Sequence, residues 1–349
     1  MNLYKHTLQY LSKHHTVRSY SALSKTKYVA PLDFERLYEG SRMKTCERSL
    51  SLQGFVDWQQ ETYTSISKSY PVGVIQDSLL YIHDLTGLPW WATVVTSTLL
   101  LRGCMTLPLT IYQNYILAKV ENVSFELKEL VNELKMETAV AKKMYKLSDR
   151  QAMNLFKHSL KKQYRNLIVR DNCHPFKASL VIWLQIPIWV CTSFALRNLV
   201  QMQPIADAAA LITLTEMSVG GFGWIPNLTI PDHSLVLPVV FGLTNLAIVE
   251  IQRMSKVRPP SRAYNIFTNV FRGFSLIMIP IAACVPSCMC LYWTVSSTFG
   301  LVQNLTLLSP SIRRKLRIPI TPSELEEPYR HMAEEIKEKV NKVTPSILK

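Results

Sequence analysis

GLPWWATVVTSTLLLRGCMTLPL, residues 87–109, decides how the rest of the chain is read. From Pro89 to Pro108 there are about twenty residues, which at about 1.5 Å each cover about 30 Å, the hydrocarbon thickness of a bilayer. The only charged side chain in that run is Arg102. A charge at such depth is costly, which makes it a candidate functional residue. It lies about 9 Å of helix before Pro108, so its long side chain can also snorkel towards that end of the span.

The bulk composition agrees with a membrane reading. The 349 residues are 48% apolar and only 18% charged, with a mean hydropathy of +0.08. A soluble chain carries about a quarter charged residues. The net charge of +14 and pI of about 9.4 suit nucleic acid, an anionic membrane surface or a mitochondrial protein. Long uncharged runs alternating with basic segments favour the membrane. No phosphate loop, nucleophile elbow, HExxH or paired CxxC occurs, so no catalytic reaction, cofactor or metal is expected. Cysteines at 46, 104, 173, 191, 284, 288 and 290 are odd in number and mostly in or beside apolar runs, which is no disulfide framework. On a helix Cys288 and Cys290 face different sides, and Pro286 interrupts the pairing of Cys284 with Cys288. Small buried thiols explain that cluster better than a copper site does.

Residues 1–32 hold Lys5, Lys13, Arg18, Lys25 and Lys27 with several Ser and Thr, and no acid precedes Asp33. That composition predicts a mitochondrial targeting segment, a transit peptide. Residues 33–70 read as a polar lead-in, and 71–308 as the membrane core. Val72, Ile75, Leu79 and Ile82 predict an amphipathic helix ending at Gly87, lying flat at the interface or packed on protein. His83 falls on its polar face. Trp90 and Trp91 stand where an aromatic belt is expected.

Spans are expected at about 88–109, 176–196, 235–251, 266–285 and 287–308, the last two divided at Pro286. Between the first two lies a predicted helical hairpin, 114–172, with a capping box at Ser148 and Gln151. Lys142, Lys143, Lys146, Arg150, Lys157 and Arg165 make its second half basic. The loop from Arg197 to His233 holds one basic residue, and GGFGWIPNLTIPD within it suits a turn at an interface. Arg253, Lys256, Arg258 and Arg262 form a basic loop after the third span, and 309–349 is a tail of mixed charge. Positive-inside logic puts the hairpin, that loop and the C terminus on one side, the matrix, with the N-terminal region in the intermembrane space.

Thr96, Ser97, Gln185, Asn245, Ser296, Ser297, Gln303 and Asn304 are polar residues inside spans, and each needs a partner or water. Some serve as interhelical glue. Around one arginine they also suggest a hydrated recess, and its expected lining is Arg102, Thr96, Gln185, Asn245, Ser297 and Gln303.

RGCMTLPL (102–109), CHPFKASLVIWLQIPIWVCTSFALRNL (from Cys173), WIPNLTIPDHSLVLPVVFGLTN (from Trp224) and PSCMCLYWTVSSTFGLVQN (from Pro286) together resemble the YidC/Oxa/Alb membrane insertases. The four blocks occur in family order over roughly 85–308, and the wording is most similar to the mitochondrial members that assist cytochrome c oxidase assembly. The resemblance implies an all-α polytopic membrane protein with a five-transmembrane-helix core and a matrix-side helical hairpin between helices 1 and 2. It implies a groove open to matrix and lipid, in which Arg102 attracts acids of a client's translocated segment. It implies as partners subunit II of cytochrome c oxidase, other oxidase assembly factors and the lipid bilayer, with no nucleic acid required and no small-molecule substrate. One departure stands out: a glutamine near the end of the family's third core span is Val249 here, beside Glu250. The tail alternates Glu324, Glu326, Glu327, Glu334, Glu335 and Glu338 with lysines, unlike the strongly basic extension of ribosome-docking relatives. A transporter or channel using Arg102 for a small anion is the alternative, although no internal repeat supports it.

Overall fold

The structure, a computed structural model, describes residues 61–255 and 262–347. The predicted targeting segment lies outside the described residues, as do most of the lead-in and Lys256 and Arg258. The described part is helical, with one isolated bridge between Phe222 and Ile225.

Helix α1 (Tyr70–Thr86) starts on Pro71 and stops at Gly87, whose φ of 60° reverses the chain. Its apolar face buries Val72 and Leu79 against later helices. Helix α2 (Trp90–Leu101) follows, then a π-helical turn (Arg102–Thr106), then α3 (Leu107–Met144). These form one uninterrupted helix of 55 residues. The hairpin's first arm is therefore not a separate helix beginning at 114. No Gly or Pro lies between Leu109 and Met144 to stop the helix, and the change from apolar to charged composition is no break by itself.

Helix α4 (Asp149–Asp171) returns along α3, opened by the capping box between Ser148 and Gln151. Val123, Leu167, Ile168 and Cys173 form the hairpin's own small core. Beside it, Arg170 forks onto Glu126 of α3 at 2.8 and 2.7 Å and also reaches Asp171 at 2.9 Å. These hydrogen bonds hold both carboxyls below the usual carboxylate range. A carboxyl lowered on folding adds stability that is present above its unfolded value, about 4, and lost as pH falls through the folded value. Arg170→Ala should make the hairpin more readily cut by protease at pH 7. The difference from the parent chain should vanish in acid, and a pH-independent difference would contradict this.

Helix α5 (Pro175–Val200) carries Pro187 internally, and α7 (Val236–Met254) and α8 (Arg262–Ala283) lie side by side. Gly242 lets them touch, since a Cβ there would stand 2.3 Å from the Ile279 side chain. Helix α9 (Ser287–Leu308) begins just after Pro286 and packs on α2, α5 and α7, which places it centrally. A short helix α10 (Pro310–Lys315) and the terminal α11 (Pro328–Ile347) complete the order.

The loop between α5 and α7 is not wholly a turn. It contains α6 (Ala208–Val219), a twelve-residue apolar helix capped by Asp207 on the Ala210 amide at 2.8 Å. Among the described residues, four helices are long and apolar enough to cross a membrane: Trp90–Met144, Pro175–Val200, Val236–Met254 and Tyr264–Ala283. Helix α9 has 22 residues and no charge but carries many polar ones, because its surface faces other helices more than lipid.

Candidate functional site

The π turn places Arg102. Pro108 has no N–H to give the turn before it, and its ring crowds the carbonyl of Cys104. The helix widens there, and the Leu107 amide bonds to the Arg102 carbonyl instead of the usual partner one residue later. The Thr106 hydroxyl donates to the same carbonyl at 2.8 Å. The added residue turns the Arg102 side chain into the bundle, where it is 9% exposed.

There the guanidinium donates from Nε to Ser296 Oγ at 2.8 Å and also from Nη2 to the same oxygen. Tyr292, one turn earlier on α9, is buried beside it, and its hydroxyl lies next to Thr192 of α5 and Ser296. Helices from three parts of the chain thus come together around one cation. Among the described residues no carboxylate pairs with Arg102. Desolvating a charge without a counter-ion is expensive, so the site is set to gain from an incoming anion.

The other expected lining residues are distributed more widely. Asn245 and Ser297 come together, the Ser297 hydroxyl donating to Asn245 Oδ1 at 3.2 Å, and join α9 to α7. Gln303 is buried, while Thr96 and Gln185 are half-buried, and none of the three is hydrogen-bonded to Arg102. The partner that sequence reasoning placed outside the lining set is Ser296. Helical spacing could have found it: Tyr292, Ser296 and Gln303 share one stripe of α9, whereas Ser297 is turned about 100° away.

Glu250, beside the departure at Val249, does not face an open recess. Arg272 of α8 donates to it from Nε at 2.5 Å, so the two charges at span depth neutralise each other across the α7–α8 contact.

At the opposite end of α2, Trp90 is not in an exposed aromatic belt. It is 1% exposed, and its Nε1 donates to Glu216 of α6 at 3.1 Å. His83 stacks on Trp90 with ring centres 4.2 Å apart, and its Nε2 lies 3.2 Å from the same carboxylate. The polar face of α1 is thus turned onto α6, a helix where the sequence predicts only a loop, and the contact ties α1, α2 and α6 together. Cys288 and Cys290 are buried and Cys284 is exposed, and among the described residues no group of three side chains could hold a metal ion.

Residues 81–314 match the family model described as 60Kd inner membrane protein. The mitochondrial cytochrome c oxidase assembly protein COX18 of Homo sapiens is 44% identical over 77% of this chain and 80% of that protein. Its Mus musculus counterpart is 43% identical over 78% and 81%. The mitochondrial inner membrane protein OXA1 of Arabidopsis thaliana is 27% identical over 75% of this chain and 55% of that protein.

Proposed function

This chain belongs to the 60Kd inner membrane protein family, the YidC/Oxa/Alb insertases, and we propose that it inserts membrane proteins during cytochrome c oxidase assembly. On this reading it is a multi-pass protein of the mitochondrial inner membrane. Helix α9 is its fifth span, 1–32 its targeting segment and 309–349 its matrix tail. The N-terminal region faces the intermembrane space, and the hairpin projects into the matrix between the first two spans.

The client we assign is subunit II of cytochrome c oxidase, whose C-terminal domain must reach the intermembrane space. One observation carries the reading: Arg102 is buried at span depth and engaged only by neutral partners among the described residues. A cation so placed gains most from an acid that arrives transiently. An acidic residue of the client would leave the negative matrix side, meet Arg102 part-way and continue outward. Its passage is favoured by about 2.3 kcal/mol per charge per 100 mV of membrane potential. The client's apolar helix then moves from the groove into lipid, stabilised by about 25 cal/mol for each Å² of apolar surface removed from water. Thr96, Gln185, Asn245, Ser297 and Gln303 would keep the path wet. No nucleotide, cofactor or catalytic group enters this scheme.

Proteoliposomes distinguish this from anion transport. The purified chain should translocate the C-terminal segment of a subunit II client while passing no chloride or phosphate. Saturable anion flux without client translocation would overturn the proposal in favour of a transporter.

A further inference from the structure

A guanidinium has five N–H donors in a rigid planar fork. In Arg102 the edge formed by Nε and Nη2 is already engaged, with both nitrogens donating to Ser296 Oγ. Among the described residues the other three N–H groups, two on Nη1 and one on Nη2, have no hydrogen-bond partner. The adjacent Nη1 and Nη2 hydrogens lie parallel at the far end of the fork, spaced for the two oxygens of one carboxylate.

Ser296 is itself held in place. It is 1% exposed on the central helix α9, one turn from Tyr292, whose hydroxyl lies beside both Ser296 and Thr192. The plane of the guanidinium is therefore set before any client arrives. Ordering a long arginine side chain is part of the cost of binding, and here folding has already met it.

We infer that Ser296 is a positioning residue that closes the side edge of Arg102, so that a client carboxylate is taken end-on through Nη1 and Nη2. This rests on the client reading above. The arrangement selects for an Asp or Glu side chain, which fills both positions. A halide uses only one direction at a time. Ser297, its neighbour in sequence, cannot substitute, because its hydroxyl is committed to Asn245 on a different face of α9.

The test uses the purified full chain in proteoliposomes and two clients that differ only in the translocated segment, one with its Asp and Glu residues and one with Asn and Gln. The readout is the ratio of acidic to neutral client translocated, which an inactive fraction of protein leaves unchanged. Ser296→Ala should lower that ratio about tenfold, the loss expected for one charge-assisted hydrogen bond. Ser296→Thr, which keeps the hydroxyl, should restore it. An unchanged ratio in Ser296→Ala, or equal losses for both clients, overturns the inference. Arg102→Gln, measured in parallel, separates the two levels. If it too leaves the ratio unchanged, the client reading falls along with the inference. If it collapses the ratio while Ser296→Ala does not, only the role of Ser296 falls.

Discussion

Arg102→Ala should reduce export of the subunit II C-terminal domain at least tenfold while leaving the amount of the chain in the membrane unchanged. Both halves follow from the surroundings of the side chain. Hydrogen bonds to charged groups contribute about 1.5–3 kcal/mol, so losing the one made to a passing acid costs about one to two orders of magnitude in rate. Folding gains little from the arginine, because a buried cation with no carboxylate partner among the described residues carries a desolvation cost that the neutral Ser296 only partly offsets. The truncated site leaves only hydroxyls behind, and these can turn to one another. Arg102→Lys should fall in between, since a point charge reaches the same region without the fork. The check is protease accessibility of the client's C-terminal domain from the outer side, alongside immunoblotting of the chain itself. Disappearance of the chain would instead mark Arg102 as structural.

The second large effect lies far from the arginine. Gly221→Ala should destabilise the protein by about 3 kcal/mol, at the upper end of what overpacking usually costs. A Cβ at this position would stand 1.9 Å from the Ile225 carbonyl oxygen and 2.5 Å from the Pro226 backbone. Neither can retreat, because the Phe222 amide bonds to Ile225 O at 2.8 Å and the Ile225 amide to Phe222 O at 2.7 Å. The same turn leads into Leu228 and Ile230, whose carbonyls accept from the amides of Cys288 at 3.0 Å and Ser287 at 2.8 Å, where α9 begins. Strain there reaches the helix that carries Ser296. Gly273→Ala, on α8 with open space around the new methyl, is the control and should be neutral or slightly stabilising. Thermal unfolding of the two variants in detergent should separate them clearly. Equal midpoints would show that the turn yields.

What the sequence disclosed and what it withheld divide along physical lines. Arg102 was legible because a charge in an apolar run has few explanations. The stop at Gly87 and the capping box at Ser148 and Gln151 were legible because each rests on local backbone chemistry. The continuous helix through Leu109 was hidden by a shift in composition that looked like a boundary. Helix α6 is masked by a loop rich in Gly, Pro and Trp, although Asp207 and Gly220 frame it with usable cap and stop signals. The role of Glu216 could not be read at all. It depends on α6 meeting Trp90 and His83, more than a hundred residues away, and no local pattern encodes that contact. Ser296 and Ser297 are told apart by helical phase along α9, where one position decides whether a hydroxyl faces Arg102 or Asn245.

The central claim is that an acidic client segment passes beside Arg102 inside the bundle. A photoreactive residue at Val95, half-buried two turns before Arg102 on the same face of the helix, tests it most directly because Arg102 is kept intact. Leu100 on that helix, exposed on the bundle's outer surface, provides the comparison. During import of newly made subunit II, crosslinks from position 95 should map to its translocated segment and disappear with Arg102→Ala, while position 100 should give lipid adducts. Crosslinks to that segment from position 100 alone, or from position 95 regardless of Arg102, would contradict the account.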